Sequence, residues 1–246
     1  MMESCKNCNE NITGNFCFNC GQKTSVHRYS FIHFITHDLI RGIWDVDNGI
    51  IFTIKELFTR PGHSIREFIN GRRARYFNFA SLLVIILAVS HFIGEYSPVK
   101  LSDLMPESSK ESMDVLGELT KEYPKITLIL TIPLYSVFSF IWFRKSKLNL
   151  TEHIVLNSYK TATELIVGLI FTIISVVYTN ETGLMIIYSF VAFFSLAYTF
   201  WYYKQFFSAY GYSKKSLIFR SLGAVISYMI FSMILGAVMS IITNGK

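Results

Sequence analysis

Apolar runs separated by short polar stretches occupy most of the chain after position 78, at 79–96, 126–143, 154–178, 184–203 and 217–242. Each approaches the roughly 20 residues that carry a helix through about 30 Å of hydrocarbon. The third run is the informative one. It is apolar only from Leu165 to Val177, about 20 Å as a helix, so a crossing helix must draw part of its polar first half into the bilayer. In that half, His153, Asn157, Lys160 and Glu164 follow 4-3-4 spacing and share one narrow helical face. A polar face at membrane depth needs protein or water against it. The pattern therefore predicts an all-α membrane protein of about five transmembrane helices with an intramembrane polar stripe turned into the bundle. Lys160 and Glu164, one turn apart, are placed to neutralise each other. Reading the third run as re-entrant leaves a four-span alternative. Pro133 is expected to kink the second span, the fifth is long enough to tilt, and Trp201, Tyr202 and Tyr203 suit an interfacial aromatic belt.

Between positions 25 and 78 the periodicity changes to shorter amphipathic segments. In Tyr29–Trp44, the apolar Phe31, Phe34, Ile35, Leu39, Ile43 and Trp44 oppose His33, His37, Asp38 and Arg41, which suits the membrane surface or the underside of a bundle. His33 and His37 are read as solvated or packing residues, with no third metal ligand evident. Asp45–Gly49 reads as a turn, because no acidic residue falls at the twelfth position of a calcium loop. Ile50–Thr59 forms a second amphipathic helix ended by Arg60-Pro61-Gly62, and a third runs from about His63 to Ile69 and stops at Gly71. Arg72, Arg73 and Arg75 follow directly ahead of the first apolar run. That position favours anionic lipid headgroups over nucleic acid, at about 1 kcal/mol per basic residue near the surface.

The N-terminal segment, 1–24, has a different chemistry. Cys5-x2-Cys8 and Cys17-x2-Cys20 contain all four cysteines of the chain, eight residues apart. Four thiolates on two tight turns can close a tetrahedral site around structural Zn2+, and so small a unit has no core to fold around otherwise. Asn7, Gly14, Asn19 and Gly21 supply turn residues, and a compact ribbon with one small hairpin is expected. Paired disulfides are the alternative. A catalytic metal does not fit, since four cysteines leave no open position. The resulting domain organisation is a zinc ribbon (1–24), interfacial helices with the basic cluster (25–78) and a five-span domain (79–246).

The knuckles are followed by Lys55-Glu56-Leu57-Phe58-Thr59-Arg60-Pro61-Gly62-His63, then Ile65-Arg66-Glu67-Phe68-Ile69-Asn70-Gly71-Arg72-Arg73 and Arg75-Tyr76-Phe77-Asn78. With these pieces the chain resembles a family of bacterial integral membrane proteins known only as a domain of unknown function. The resemblance implies a zinc ribbon ahead of a multi-span domain, and it supplies no substrate or catalytic residue. Phe79 stands where relatives often place proline.

Composition agrees with a membrane class: 51% of residues are hydrophobic and only 16% charged, against a usual quarter. The net charge of +6 matters through its distribution. Arg72–Arg75, Arg144–Lys147 and Lys204, Lys214 and Lys215 alternate with loops poor in positive charge. This pattern expects a cytoplasmic N-terminus and an external C-terminus, and the family resemblance implies that the membrane is a bacterial inner membrane. No P-loop, dinucleotide fingerprint, HExxH or catalytic triad pattern appears. The expected role is thus a non-enzymatic membrane protein whose zinc ribbon docks a cytoplasmic protein partner. A small transporter or channel using the stripe, or a lipid-modifying enzyme, is the competing reading.

Overall fold

The computed structural model describes residues 4–12, 14–26, 28–30, 49–99 and 124–244. The helix expected over Tyr29–Trp44, apart from its first two residues, lies outside them. So do the turn expected over Asp45–Gly49, apart from its last residue, and the acidic loop that follows Val99. Among the described residues there are seven α-helices and no β-strand: α1 (Ile50–Thr59), α2 (Pro61–Ile69), α3 (Phe79–Gly94), α4 (Pro124–Trp142), α5 (Leu150–Val177), α6 (Glu181–Phe207) and α7 (Lys214–Asn244).

The central element is α5, which packs against α1, α2, α3, α4 and α6. It starts four residues before the expected 154, because Asn149 and Glu152 form a capping box. The Asn149 side chain accepts from the Glu152 amide at 2.8 Å, and the Glu152 carboxylate accepts from the Asn149 amide at 2.8 Å. A cap of this kind contributes about 1 kcal/mol and holds the polar first half of the helix in register. From Thr151 to Thr163 every residue except the half-buried Ile154 is buried. After Glu164 the helix emerges, until Val177 is 84% exposed. The antiparallel α6 repeats the arrangement in reverse: Phe190 and Phe193 stand out, while Tyr198, Tyr202, Tyr203, Phe206 and Phe207 are buried. Polar positions inside and large apolar side chains outside invert the usual soluble pattern.

Two helices, α5 and α6, are long and apolar enough to cross a membrane. The expected count of about five is not supported by the described helices. In α3 the helix stops at Gly94 and falls short in length. The helix of α4 runs through Pro133.

Two sequence expectations need correction. Arg60-Pro61-Gly62 was expected to separate two helices, yet Pro61 is the first residue of α2 and only Arg60 intervenes. Proline is well suited to that position, where its missing N–H has no intrahelical acceptor to lose. Gly62 then brings α2 directly onto the end of α6, since a Cβ there would collide with the Phe206 backbone nitrogen. Arg66 completes the joint by donating to the carbonyls of Gln205 (3.1 Å) and Phe206 (2.7 Å), which have no acceptor role left within α6. The second correction concerns the belt. Trp201 is partly exposed, but Tyr202 and Tyr203 are buried at 0% and 1%. Burial is possible because each phenol has an acceptor on α5: Tyr202 donates to the Leu156 carbonyl at 2.7 Å, and Tyr203 to Asn157 Oδ1 at 2.6 Å.

The basic segments collect at one end of the bundle. Lys145 donates to the Gly211 carbonyl at 2.6 Å, and Arg28 to the Lys147 carbonyl at 2.8 Å. Ring stacking of Phe143 on Phe207 at 3.7 Å closes the same end. At the other end Ser97 and Ser175 share a 2.9 Å hydrogen bond between the close of α3 and the last turns of α5.

Candidate metal centre and polar seam

The cysteine segment is built from two copies of one turn, offset by twelve residues. Each is closed by an isolated bridge, Ser4 with Asn11 and Phe16 with Lys23, in place of the single hairpin expected. Within them Cys5 N donates to Glu10 O and Cys17 N to Gln22 O, both at 2.8 Å. Asn9 (φ 61°) and Gly21 (φ 70°) take the left-handed conformation at matching places, which Asn and Gly tolerate best. The sequence spacing marked the cysteines, but the repeat becomes plain only from the matched bridges.

The four cysteines are free thiols whose sulfurs all lie within 4.8 Å of one another. Cys5 and Cys20 approach to 3.6 Å, and Cys8 and Cys17 to 3.5 Å. A disulfide would need about 2.05 Å. Four sulfurs about 2.3 Å from a central ion at tetrahedral angles stand about 3.8 Å apart. The cluster therefore fits a tetrahedral metal ion and does not fit crossed disulfides.

Gln22 fastens this unit to the helices. Its Nε2 donates to the Gly71 carbonyl at 2.9 Å, and its Oε1 accepts from the amides of Arg73 (2.9 Å) and Ala74 (3.1 Å). Gly71 (φ 106°) also brings the turn close to Lys6 and Val26. Farther along, Arg28 forms a two-pronged bond to Glu152 (2.6 and 2.7 Å), and Asn149 donates to the Tyr29 carbonyl at 2.9 Å. Hydrogen bonding to Glu152 comes first among the causes that raise the Arg28 guanidinium above its ordinary value. The chain from the cysteines to the cap of α5 is thus tied down at both ends. Nothing in the spacing of Gln22, Arg28 or Glu152 announced these partners.

The stripe residues lie together in the buried half of α5. His153 is enclosed between Phe140 and Phe207, with Nδ1 2.8 Å from Ser139 Oγ. Asn157 donates to Ser139 Oγ (3.0 Å) and the His153 carbonyl (2.8 Å) and accepts from Tyr203. Lys160, 0% exposed, places Nζ 2.9 Å from both Glu164 oxygens and 3.1 Å from the centre of the Tyr135 ring. Thr199 donates to Glu164 Oε1 at 3.0 Å. Ser136, Ser139, Tyr135, Thr199 and Tyr203 are the partners that the helical spacing of one segment could not name.

The arginines divide. Arg73 lies 4.0 Å above the centre of the Tyr29 ring and donates to the Phe68 carbonyl at 3.3 Å. Arg72 and Arg75 are exposed and line a cleft of about 530 Å³ beside Cys8 and Cys20.

Among the described residues, these features define a helical protein with two candidate membrane-crossing helices and a four-cysteine cluster able to bind a metal ion. Residues 47–90, from just ahead of α1 to late in α3, match the model of a family described as protein of unknown function (DUF3667). No curated protein and no solved structure matches the chain.

Proposed function

We propose that the chain is a bacterial inner-membrane protein whose helices α5 and α6 cross the bilayer. Its N-terminal zinc ribbon is clamped over the cytoplasmic mouth of the bundle as a docking or regulatory platform. The observation that carries this reading is the Gln22 clamp, which fixes the cysteine unit on the Gly71–Ala74 turn. Zinc is the ion that suits four thiolates in a closed tetrahedral set on the reducing side of a membrane, and such a set is structural. The ribbon also presents Phe16 and Phe18, 63% and 78% exposed on either side of Cys17, as an apolar face for a cytoplasmic protein.

Support for the orientation comes from the gathering of the basic segments at the ribbon's end of the bundle. A transport role would call for an open route past Lys160 and Glu164. Their double bond to each other, the bond from Thr199 and the enclosure of Lys160 weigh instead for an ion pair that locks helices.

Purified full-length protein should hold about one zinc per chain by elemental analysis, as one four-thiolate site requires. Cys17→Ser should release the metal and expose 1–30 to protease while the helices stay inserted. Zinc-free wild-type protein would defeat the ribbon reading. For topology, cysteines placed singly at Glu181, Lys147 and Ser213 are compared with the wild-type background in intact cells. An impermeant maleimide should reach Glu181→Cys alone, and external labelling of Lys147→Cys would overturn the orientation.

A further inference from the structure

The cleft between the cysteine knuckles and the turn ahead of α3 has no role in the reading above. Asn7 and Asn19, equivalent positions in the two knuckles, line one side, and Arg72 and Arg75 line the other. Its volume of about 530 Å³ falls within the range of sites that hold small molecules. At the far wall Arg60 is paired with Glu67 at 3.2 Å and with Glu56 at 2.5 Å, so the acidic Glu67 is already engaged. Among the described residues, no carboxylate pairs with Arg72 or Arg75. Their backbone is held in place, because Gln22 accepts from the two amides between them. Two unpaired guanidiniums on a fixed turn, facing amide side chains across a half-open cleft, match the geometry of a phosphate better than that of a single carboxylate.

We propose that this cleft binds a phosphate group, held by Arg72 and Arg75 and flanked by the Asn7 and Asn19 amides. The inference rests on the docked position of the ribbon, not on which metal closes it. The group can belong to an anionic lipid at the membrane edge, where the turn leads directly into α3, or to a soluble phosphate. A different use for the arginines is conceivable on charge alone. Zinc held by four thiolates carries two negative charges, which guanidiniums would offset. However, among the described residues neither Arg72 nor Arg75 hydrogen-bonds a cysteine sulfur, and the cleft stands between them.

The test uses the full-length protein in detergent, with zinc content measured on every sample. Phosphatidylglycerol binding is read by native mass spectrometry, with phosphatidylcholine as the neutral comparison. Arg72→Gln or Arg75→Gln should each weaken phosphatidylglycerol binding about fivefold, and the pair about thirtyfold, as expected for about 1 kcal/mol per arginine. Arg72→Lys should keep most of the affinity, and Lys204→Gln, an exposed cation elsewhere, should keep all of it. Inorganic phosphate distinguishes the two sources. Competition at millimolar concentration assigns a soluble phosphate, and its failure to compete while the arginine effect persists assigns a lipid headgroup. Unchanged phosphatidylglycerol binding in the double variant, with no response to inorganic phosphate, overturns the proposal. A fall in zinc content in the glutamine variants also overturns it, because the arginines then serve the thiolates. Zinc-free wild type that still shows the arginine effect defeats the zinc reading alone and leaves the cleft standing.

Discussion

The two halves of α5 belong to one helix but hold their surroundings by different means. From Thr151 to Thr163 the helix is enclosed by five others and carries His153, Asn157 and Lys160. Buried polar groups there are matched across helices, with Tyr203 on Asn157, Ser139 on His153, and Glu164 at the boundary on Lys160. From Leu165 to Val177 the side chains are mostly apolar, with Thr172 and Ser175 the polar exceptions, and Ile170, Ile173 and Val177 face outward. The first half has directional bonds that fix one arrangement of neighbours. Apart from the bond between Ser175 and Ser97, the second half relies on apolar contact, and in a bilayer lipid tails substitute for protein at little cost. The same contrast divides α6 between Tyr198–Phe207 and its outward Phe190 and Phe193. Specificity is therefore concentrated at the end that also carries the cysteine unit.

The largest effect should come from the ion pair at the boundary of the halves. Glu164→Gln leaves Lys160 enclosed without its counter-charge and should cost about 3–5 kcal/mol, read as a lowered unfolding midpoint in detergent. Lys160→Met with Glu164→Leu should recover most of that loss. If the double variant is no more stable than Glu164→Gln, the pair does more than lock helices.

A smaller loss is expected at the joint between α2 and α6. Gly62→Ala forces a methyl against the Phe206 backbone and should cost about 1–3 kcal/mol, with increased proteolysis near Arg60. A neutral outcome would mean that α1 and α2 are not part of the tightly packed half.

The smallest effect belongs to the outer half. Phe193→Leu, on a side chain 71% exposed, should stay within about 0.5 kcal/mol of wild type. A loss of several times that would mean that this face is covered by protein, and the contrast between the halves would then need redrawing.

The sequence by itself determined the helical class, the four cysteines that cluster as a candidate metal site and the polar face of α5. Each of these depends on residue type at a local spacing: two Cys-x2-Cys turns, or side chains 4-3-4 apart on one helix. Local spacing also placed the glycine after α2, where Gly71 takes φ 106°. It misjudged Pro61, because a proline that ends one helix and a proline that begins the next look alike until the cap is seen. It misjudged Tyr202 and Tyr203 for a related reason. A tyrosine suits an interface or a core equally, and only an acceptor such as the Leu156 carbonyl decides between them. Tertiary structure alone brought Gln22 to the Gly71–Ala74 turn, Arg28 to Glu152, and Ser139 to His153. Those partners are separated by 49, 124 and 14 residues. A helix's period says which face must find a partner, but the identity of that partner is fixed only when the helices pack.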